Sequence, residues 1–155
     1  MKYQLEFPAL LKLLLDAETK LFNSVKHKFE KTKLWREAII PNKPGIYALF
    51  EGKDKLLYVG ETGNLRERMN DINRTVNHSF RRKLGLIKFG GIKSKTKFSN
   101  EVENQLDIFY TENLYVSILE VNFGRIEIET FIIDKHQELL LNSEKKRKIV
   151  YKDDQ

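Results

Sequence analysis

Two short runs near the middle of the chain constrain its fold more than any other feature. Gly45–Glu51 (GIYALFE) and Lys55–Gly60 (KLLYVG) are apolar and rich in strand-forming residues, and Gly52-Lys53-Asp54 lies between them. A β-hairpin with a tight reversal at those three residues is the expected local structure. Beyond the hairpin the pattern turns helical. Asn64 has the character of an N-cap, opening a basic helix through Leu65, Arg66, Arg68, Met69 and Ile72 towards Arg74. A polar bend with His78 leads to a short helix over Ser79–Lys88, and Gly90-Gly91 begins a loop. Asn100 with Glu103 resembles a capping box for a helix to about Asn113. Leu114–Asn122 reads as a third strand, and Gly124–Leu141 as a final helix with Ile126, Phe131, Ile132, Ile133, Leu139 and Leu140 on its apolar face.

Before the hairpin, Leu5 to about Glu30 reads as one helix, with apolar residues from Leu10 to Val25 at helical spacing and Pro8 in the first turn. Lys31–Pro44 reads as a loop carrying the sole tryptophan, Trp35. The fold class implied is α+β: a small antiparallel or mixed three-stranded sheet flanked by helices, with an N-terminal helical extension. Residues 1–40 are expected to pack on the core as an accessory layer, because about 40 residues seldom fold alone. Residues 41–143 are expected to form the domain, and 144–155 a charged tail.

Composition excludes several classes of function. With no cysteine there is no disulfide framework, thiolate nucleophile or Cys-ligated zinc. The longest apolar stretch, Ala9–Leu15, contains Lys12 and is too short to cross a bilayer. A cytoplasmic protein without a membrane partner is the expectation. The net charge is +6, yet Arg66–Lys97 holds ten Lys and Arg against Glu67 and Asp71, a local +8. Phe98–Glu144 reverses this, with ten acids against Arg125 and Lys135. Such a basic block is either a footprint for a phosphate backbone or a solvated surface, and charge alone leaves both open.

Gly45-Ile46-Tyr47 followed by Tyr58-Val59-Gly60 resembles the GIY…YIG signature of the GIY-YIG nucleases, with Val for the middle Ile. Glu61–Arg68 (ETGNLRER) continues the likeness, and by that likeness Arg68 is the catalytic arginine. Glu129, with Ile132 and Ile133 three and four positions on, matches the family's helical glutamate, and Asn142 its closing asparagine. The landmarks Gly45, Gly60, Asn64 and Asn142 would be structural, within a GIY-YIG endonuclease fold. The resemblance implies a divalent-metal-dependent DNA endonuclease using Mg²⁺ or Mn²⁺. Double-stranded or branched DNA would be its substrate, and a homodimer or a guiding protein partner stays open. Glu61 after the second triplet and Arg74–Arg82 depart from the usual pattern.

The residues support that chemistry in their own right. Phosphodiester hydrolysis needs an activated water, cationic stabilisation and usually a metal. Tyr47 and Tyr58, at matched places in paired strands, can converge on one face, and Arg68 suits a bidentate phosphate contact. Glu129 lies in the apolar stripe of its helix, where a carboxylate needs a cation or hydrogen-bond donors; hard oxygen ligation suits Mg²⁺. Arg66, Arg74, Arg81 and Arg82 would hold the DNA backbone, and His78 would assist proton transfer, hold a phosphate or cap a turn. His27 and His136 read as structural. Each assignment has a plainer counterpart: tyrosines at the rim of a core, a solvated arginine, or Glu129 bridging to Arg125. Glu127 competes with Glu129 but faces Thr130 and Phe131. Two other functions remain open: a catalytically silent nucleic-acid-binding module of the same fold, and an interaction protein self-associating through Leu10–Val25.

Overall fold

The computed structural model describes residues 7–76, 78–92, 96–137 and 141. Helix α1 (Phe7–Asn23) comes first, followed by β1 (His27–Lys28) and α2 (Lys33–Ile39). The hairpin β2 (Gly45–Glu51) and β3 (Lys55–Thr62) leads into α3 (Leu65–Ile72), α4 (Ser79–Lys88) and α5 (Asn100–Glu112). Strand β4 (Leu114–Glu120) and helix α6 (Arg125–Lys135) complete the order. The chain is α+β, with one antiparallel sheet in the order β1-β4-β2-β3.

Side chains alternate across the sheet, so its two faces feed two separate cores. On one face Tyr47, Leu49, Leu57, Tyr58, Leu114 and Val116 pack with Trp35 of α2 and with α3, α4 and α5. On the other, Ile46, Ala48, Phe50, Leu56 and Val59 pack with Leu14 and Leu21 of α1 and with Phe131, Ile132 and Ile133 of α6. Gly52 turns the hairpin at φ 61°, a region open to glycine at little cost.

One irregularity shapes the site. Leu49 pairs with Tyr58 but Phe50 with Leu56, which leaves Leu57 as an extra residue in β3. A bulge of this kind breaks the alternation, so Leu57 and Tyr58 both enter the α3–α5 layer. Tyr58 and Gly60 then lie on the same face as Tyr47, whose cross-strand partner is Gly60.

The structure departs from the sequence expectations at several places. The sheet has a fourth strand, the two-residue β1, which pairs with Val116 and Tyr115 of β4. The first helix therefore ends at Asn23 rather than near Glu30, and Ser24 begins the turn towards β1. The expected loop over Lys31–Pro44 contains α2, capped by Thr32, whose hydroxyl accepts from the Trp35 N–H. The cap of α5 is Ser99, not Asn100; Glu103 instead accepts from the Phe98 N–H and holds Arg81. Helix α6 stops at Lys135, and the Leu141 N–H bonds to the Leu57 carbonyl. Leu139, Leu140, Asn142 and the expected tail lie outside the described residues.

Candidate active site

The two glycines of the paired triplets are there because other groups pass too close for a side chain. A Cβ on Gly60 would lie 2.3 Å from both Cζ and the hydroxyl oxygen of Tyr47, so the Tyr47 ring crosses directly over Gly60. A Cβ on Gly45 would lie 2.3 Å from the Leu119 carbonyl oxygen and 2.7 Å from Leu65 Cδ1. Tyr47 is 1% exposed and Tyr58 6%, their rings stacked at 6.2 Å with an interplanar angle of 21°. Cross-strand geometry thus delivers both phenols to one place, as diagonal neighbours rather than as a directly opposed pair.

His78 meets them from α4. It is the N-cap of that helix, and its Nδ1 accepts the Phe80 N–H at 3.0 Å. Its Nε2 lies 3.1 Å from the Tyr47 hydroxyl, and its ring meets Tyr58 edge-on at 5.3 Å. Burial, with the Arg68 guanidinium adding to it, pulls His78 down from 6.5 to about 4. The imidazole is therefore neutral at pH 7, and because Nδ1 accepts, its single proton resides on Nε2. Nε2–H donates to the Tyr47 oxygen, so His78 is a donor to Tyr47 and not a base acting on it. The turn cap read for His78 is present through Nδ1, and its other nitrogen is turned to Tyr47. The Tyr58 hydroxyl is 3.3 Å from Ser79 Oγ, a partner with no signal in the sequence.

Arg68 arrives on α3, half-buried. Asn64 sets that helix's start as expected, its side chain accepting the Glu67 N–H at 3.1 Å, while Leu65, Met69 and Ile72 bury the opposite face. Asn64 Nδ2 also reaches Asn42 Oδ1.

Glu129 comes from the other layer. Ile132 and Ile133 are buried and Ile126 is 56% exposed, so Glu129 sits where the apolar stripe of α6 emerges from the core. Its Oε2 accepts the backbone N–H of Glu61 at 2.5 Å, one residue past Gly60. Arg125, four residues before Glu129, turns to Glu61. Arg125 Nε binds the Glu61 carboxylate at 3.2 Å, and its Nη1 binds the Asn122 carbonyl at 2.6 Å. Glu61 serves as the meeting point of both.

The remaining basic residues divide. Arg74 is exposed. Arg66 Nε is 2.9 Å from the Ile40 carbonyl, tying α3 to α2. Arg82 is half-buried, with Nη2 on the Val76 carbonyl at 3.2 Å. Arg81 corrects the expectation of a DNA-facing residue: it is 3% exposed, with Nη2 at 2.8 Å from Glu103 and 2.9 Å from Asp107. Burial pushes the Glu103 carboxyl up, but hydrogen bonds from Arg81, Thr75 and the Phe98 N–H outweigh it and hold Glu103 below the usual range. Burial acts likewise on Asp107, outweighed by Lys31 and Arg81. Charge counting along the sequence could not separate this buried arginine from its exposed neighbours. Asn142 lies outside the described residues.

The same stretch of chain is similar to known proteins. The family described as GIY-YIG catalytic domain matches residues 43–146. Over 58 residues the chain is 36% identical to UvrABC system protein C of Bartonella henselae, a stretch covering 36% of this chain and 9% of that protein. Over 42 residues it is 40% identical to UvrABC system protein C of Brucella suis, covering 27% of this chain and 7% of the relative. The matched stretch spans less than a tenth of these relatives' length. No solved structure matches the chain. No helix among the described residues is long and apolar enough to cross a membrane.

Proposed function

The chain belongs to the GIY-YIG family of nuclease domains, and on that premise we propose that it is a divalent-metal-dependent endonuclease hydrolysing phosphodiester bonds in DNA. The observation that carries the reading is the Tyr47–His78 contact. A phenol is held over a glycine beside a second tyrosine, and its oxygen receives a hydrogen bond from a neutral histidine.

Glu129 is the residue that would hold the metal. Among the described residues no three His, Cys, Asp or Glu come together. The donor set is then one half-buried carboxylate, which fits Mg²⁺ or Mn²⁺, ions that keep several waters and share substrate oxygens, and does not fit a zinc cage. When bound, such an ion supplies stabilisation of charge on the departing 3′ oxygen.

The chain's own residues do the rest. Tyr47 orients the attacking water; having first lost its own proton to solvent, it takes the water's proton as a phenolate, and the Nε2–H of His78 stabilises the phenolate charge that this uptake neutralises. Because His78 is neutral and fixed by the Phe80 N–H, this donor is in place before substrate arrives. Tyr58 flanks the water and is itself steadied by Ser79. Arg68, whose charge already acts on His78, holds the non-bridging oxygens. Arg74 and the outer edges of Arg66 and Arg82 meet the DNA backbone, so binding falls steeply with salt.

The test is conversion of supercoiled plasmid to nicked or linear forms in Mg²⁺ or Mn²⁺ against EDTA, for the native chain beside Glu129→Gln. Metal-dependent cutting that the variant loses supports the assignment. Cutting at the native rate by Glu129→Gln overturns it. Salt-sensitive DNA binding by the native chain with no cutting in either metal favours a binding module of the same fold.

A further inference from the structure

The most exposed large apolar side chain among the described residues is Phe123, at 94%. Single exposed apolar residues are common and mean nothing alone. Phe123 differs in its support and in its place. The segment that carries it is fixed on both sides. Val121 donates its N–H to the Pro44 carbonyl at 3.0 Å, and Arg125 holds the Asn122 carbonyl at 2.6 Å. Gly124 comes next at φ 85°, with its carbonyl accepting the Ile128 N–H at 3.0 Å. An aromatic ring is thus presented to water from a braced loop rather than from a loose one.

Its place is the head of the helix that carries Glu129. Ile126, 56% exposed, occupies the first turn, and Glu129 lies three residues later, so Ile126 and Glu129 are neighbours on one helix face. The brace itself runs into the site: Arg125 binds the Glu61 side chain, and the Glu61 N–H binds Glu129. The charges nearby are mixed, with Lys43 exposed beside Pro44 and Glu120 and Glu127 exposed on either side of the loop. That surface has no surplus of cations for phosphates. A flat apolar ring in such surroundings suits the face of a nucleobase.

We propose that Phe123, backed by Ile126, is a base-stacking residue that engages an unpaired or unstacked base beside the phosphate to be cut. The proposal rests on the nuclease reading and adds a preference for DNA whose stacking is already interrupted, because that DNA presents a base face at the lowest cost.

The experiment uses Phe123→Trp and Phe123→Ala with two probes in EDTA, a gapped duplex oligonucleotide and the fully paired duplex. The native tryptophan, Trp35, is 8% exposed and gives a steady background. The gapped duplex is expected to quench the new tryptophan's emission, and Phe123→Ala to weaken binding of that probe roughly tenfold, with a smaller effect on the paired duplex. Leu34→Ala, altering a 79% exposed residue on α2, is expected to leave binding unchanged. Binding by Phe123→Ala equal to native, with unquenched tryptophan in Phe123→Trp, overturns the proposal while leaving native cleavage intact. A native chain that neither binds nor cuts DNA overturns the functional reading and this inference together.

Discussion

Acid should destabilise this protein through His78 before its carboxylates titrate fully, and the site sets the size of the effect. Burial and the nearby Arg68 hold the imidazole at about 4, against 6.5 in an exposed chain. Above pH 6.5 neither state carries the proton, so His78 contributes no pH dependence. Between 6.5 and 4 the unfolded chain binds a proton that the native fold refuses, and stability falls; below 4 both states are protonated and the loss levels off. The full loss is about 3 kcal/mol, of which about 2 kcal/mol has gone by pH 5. His78→Asn is the matched control, since asparagine retains an N-cap oxygen for the Phe80 N–H but does not titrate. Urea unfolding of both proteins at pH 7.5 and pH 5 cancels the carboxylates they share. The native chain should lose about 2 kcal/mol more than the variant. Equal acid sensitivity would refute the reasoning, as would a His78 ring resonance that shifts between those two pH values in proton NMR.

Gly60→Ala would place a methyl 2.3 Å from the Tyr47 hydroxyl, and Tyr47 is enclosed by Tyr58 and His78. It should cost about 1–3 kcal/mol and reduce plasmid nicking on the order of a hundredfold, measured on the same preparation. Arg81→Ala removes a buried cation from between Glu103 and Asp107 and should destabilise by about 3 kcal/mol, since Asp107 is half-exposed and partly solvated. The salt dependence of DNA binding by that variant should match the native chain; a shallower slope would return Arg81 to the DNA surface. Glu129→Gln and Glu129→Ala should both lose metal-dependent cleavage, but only glutamine keeps an oxygen for the Glu61 N–H. Chemical denaturation should find Ala about 1 kcal/mol less stable than Gln, and equal stabilities would contradict a capping role for this carboxylate.

How legible each part was in the sequence depended on the range of the interaction that fixes it. The hairpin, the Asn64 cap and the helices over Ser79–Lys88 and Leu65–Ile72 are settled by turn chemistry and periodicity within a few residues, and they appear as expected. Strand β1 has only two residues and exists because Val116 and Tyr115 of β4 lie beside it, which no local pattern announces. Helix α2 is hard to see in the sequence because its Thr32 cap and seven residues lie in a stretch ended by Pro41 and Pro44, where loop signals outweigh the periodicity of two turns. The capping box at Asn100 failed for a tertiary reason: Glu103 is drawn to Arg81 and Thr75, leaving Ser99 to cap alone. In the site, the paired tyrosines were readable from strand pairing, whereas the partners that orient them, Ser79 and the second nitrogen of His78, depend on where α4 docks.

Glu129 shows how the two cores of this fold meet in one site. The strand order leaves β3 with an open edge, and such an edge invites unwanted pairing unless it is covered. Here the chain after β4 supplies the cover: the Glu61 N–H is taken by Glu129 and the Leu57 carbonyl by the Leu141 N–H. The tyrosines are buttressed by α3, α4 and α5 on one side of the sheet, while Glu129 is buttressed by Phe131, Ile132, Ile133 and α1 on the other. Neither layer could place both a phenol and a carboxylate at Gly60–Glu61, because each sees only one face of β3. An edge strand can be reached from both, so the separation between the Tyr47 phenol and the candidate metal ligand Glu129 is set by the thickness of a single strand. Rigid elements on both sides then hold that separation without help from a loop. The bulge at Leu57 belongs to the same arrangement, since it turns Tyr58 to the tyrosine side while Leu56 and Val59 remain packed beneath α6.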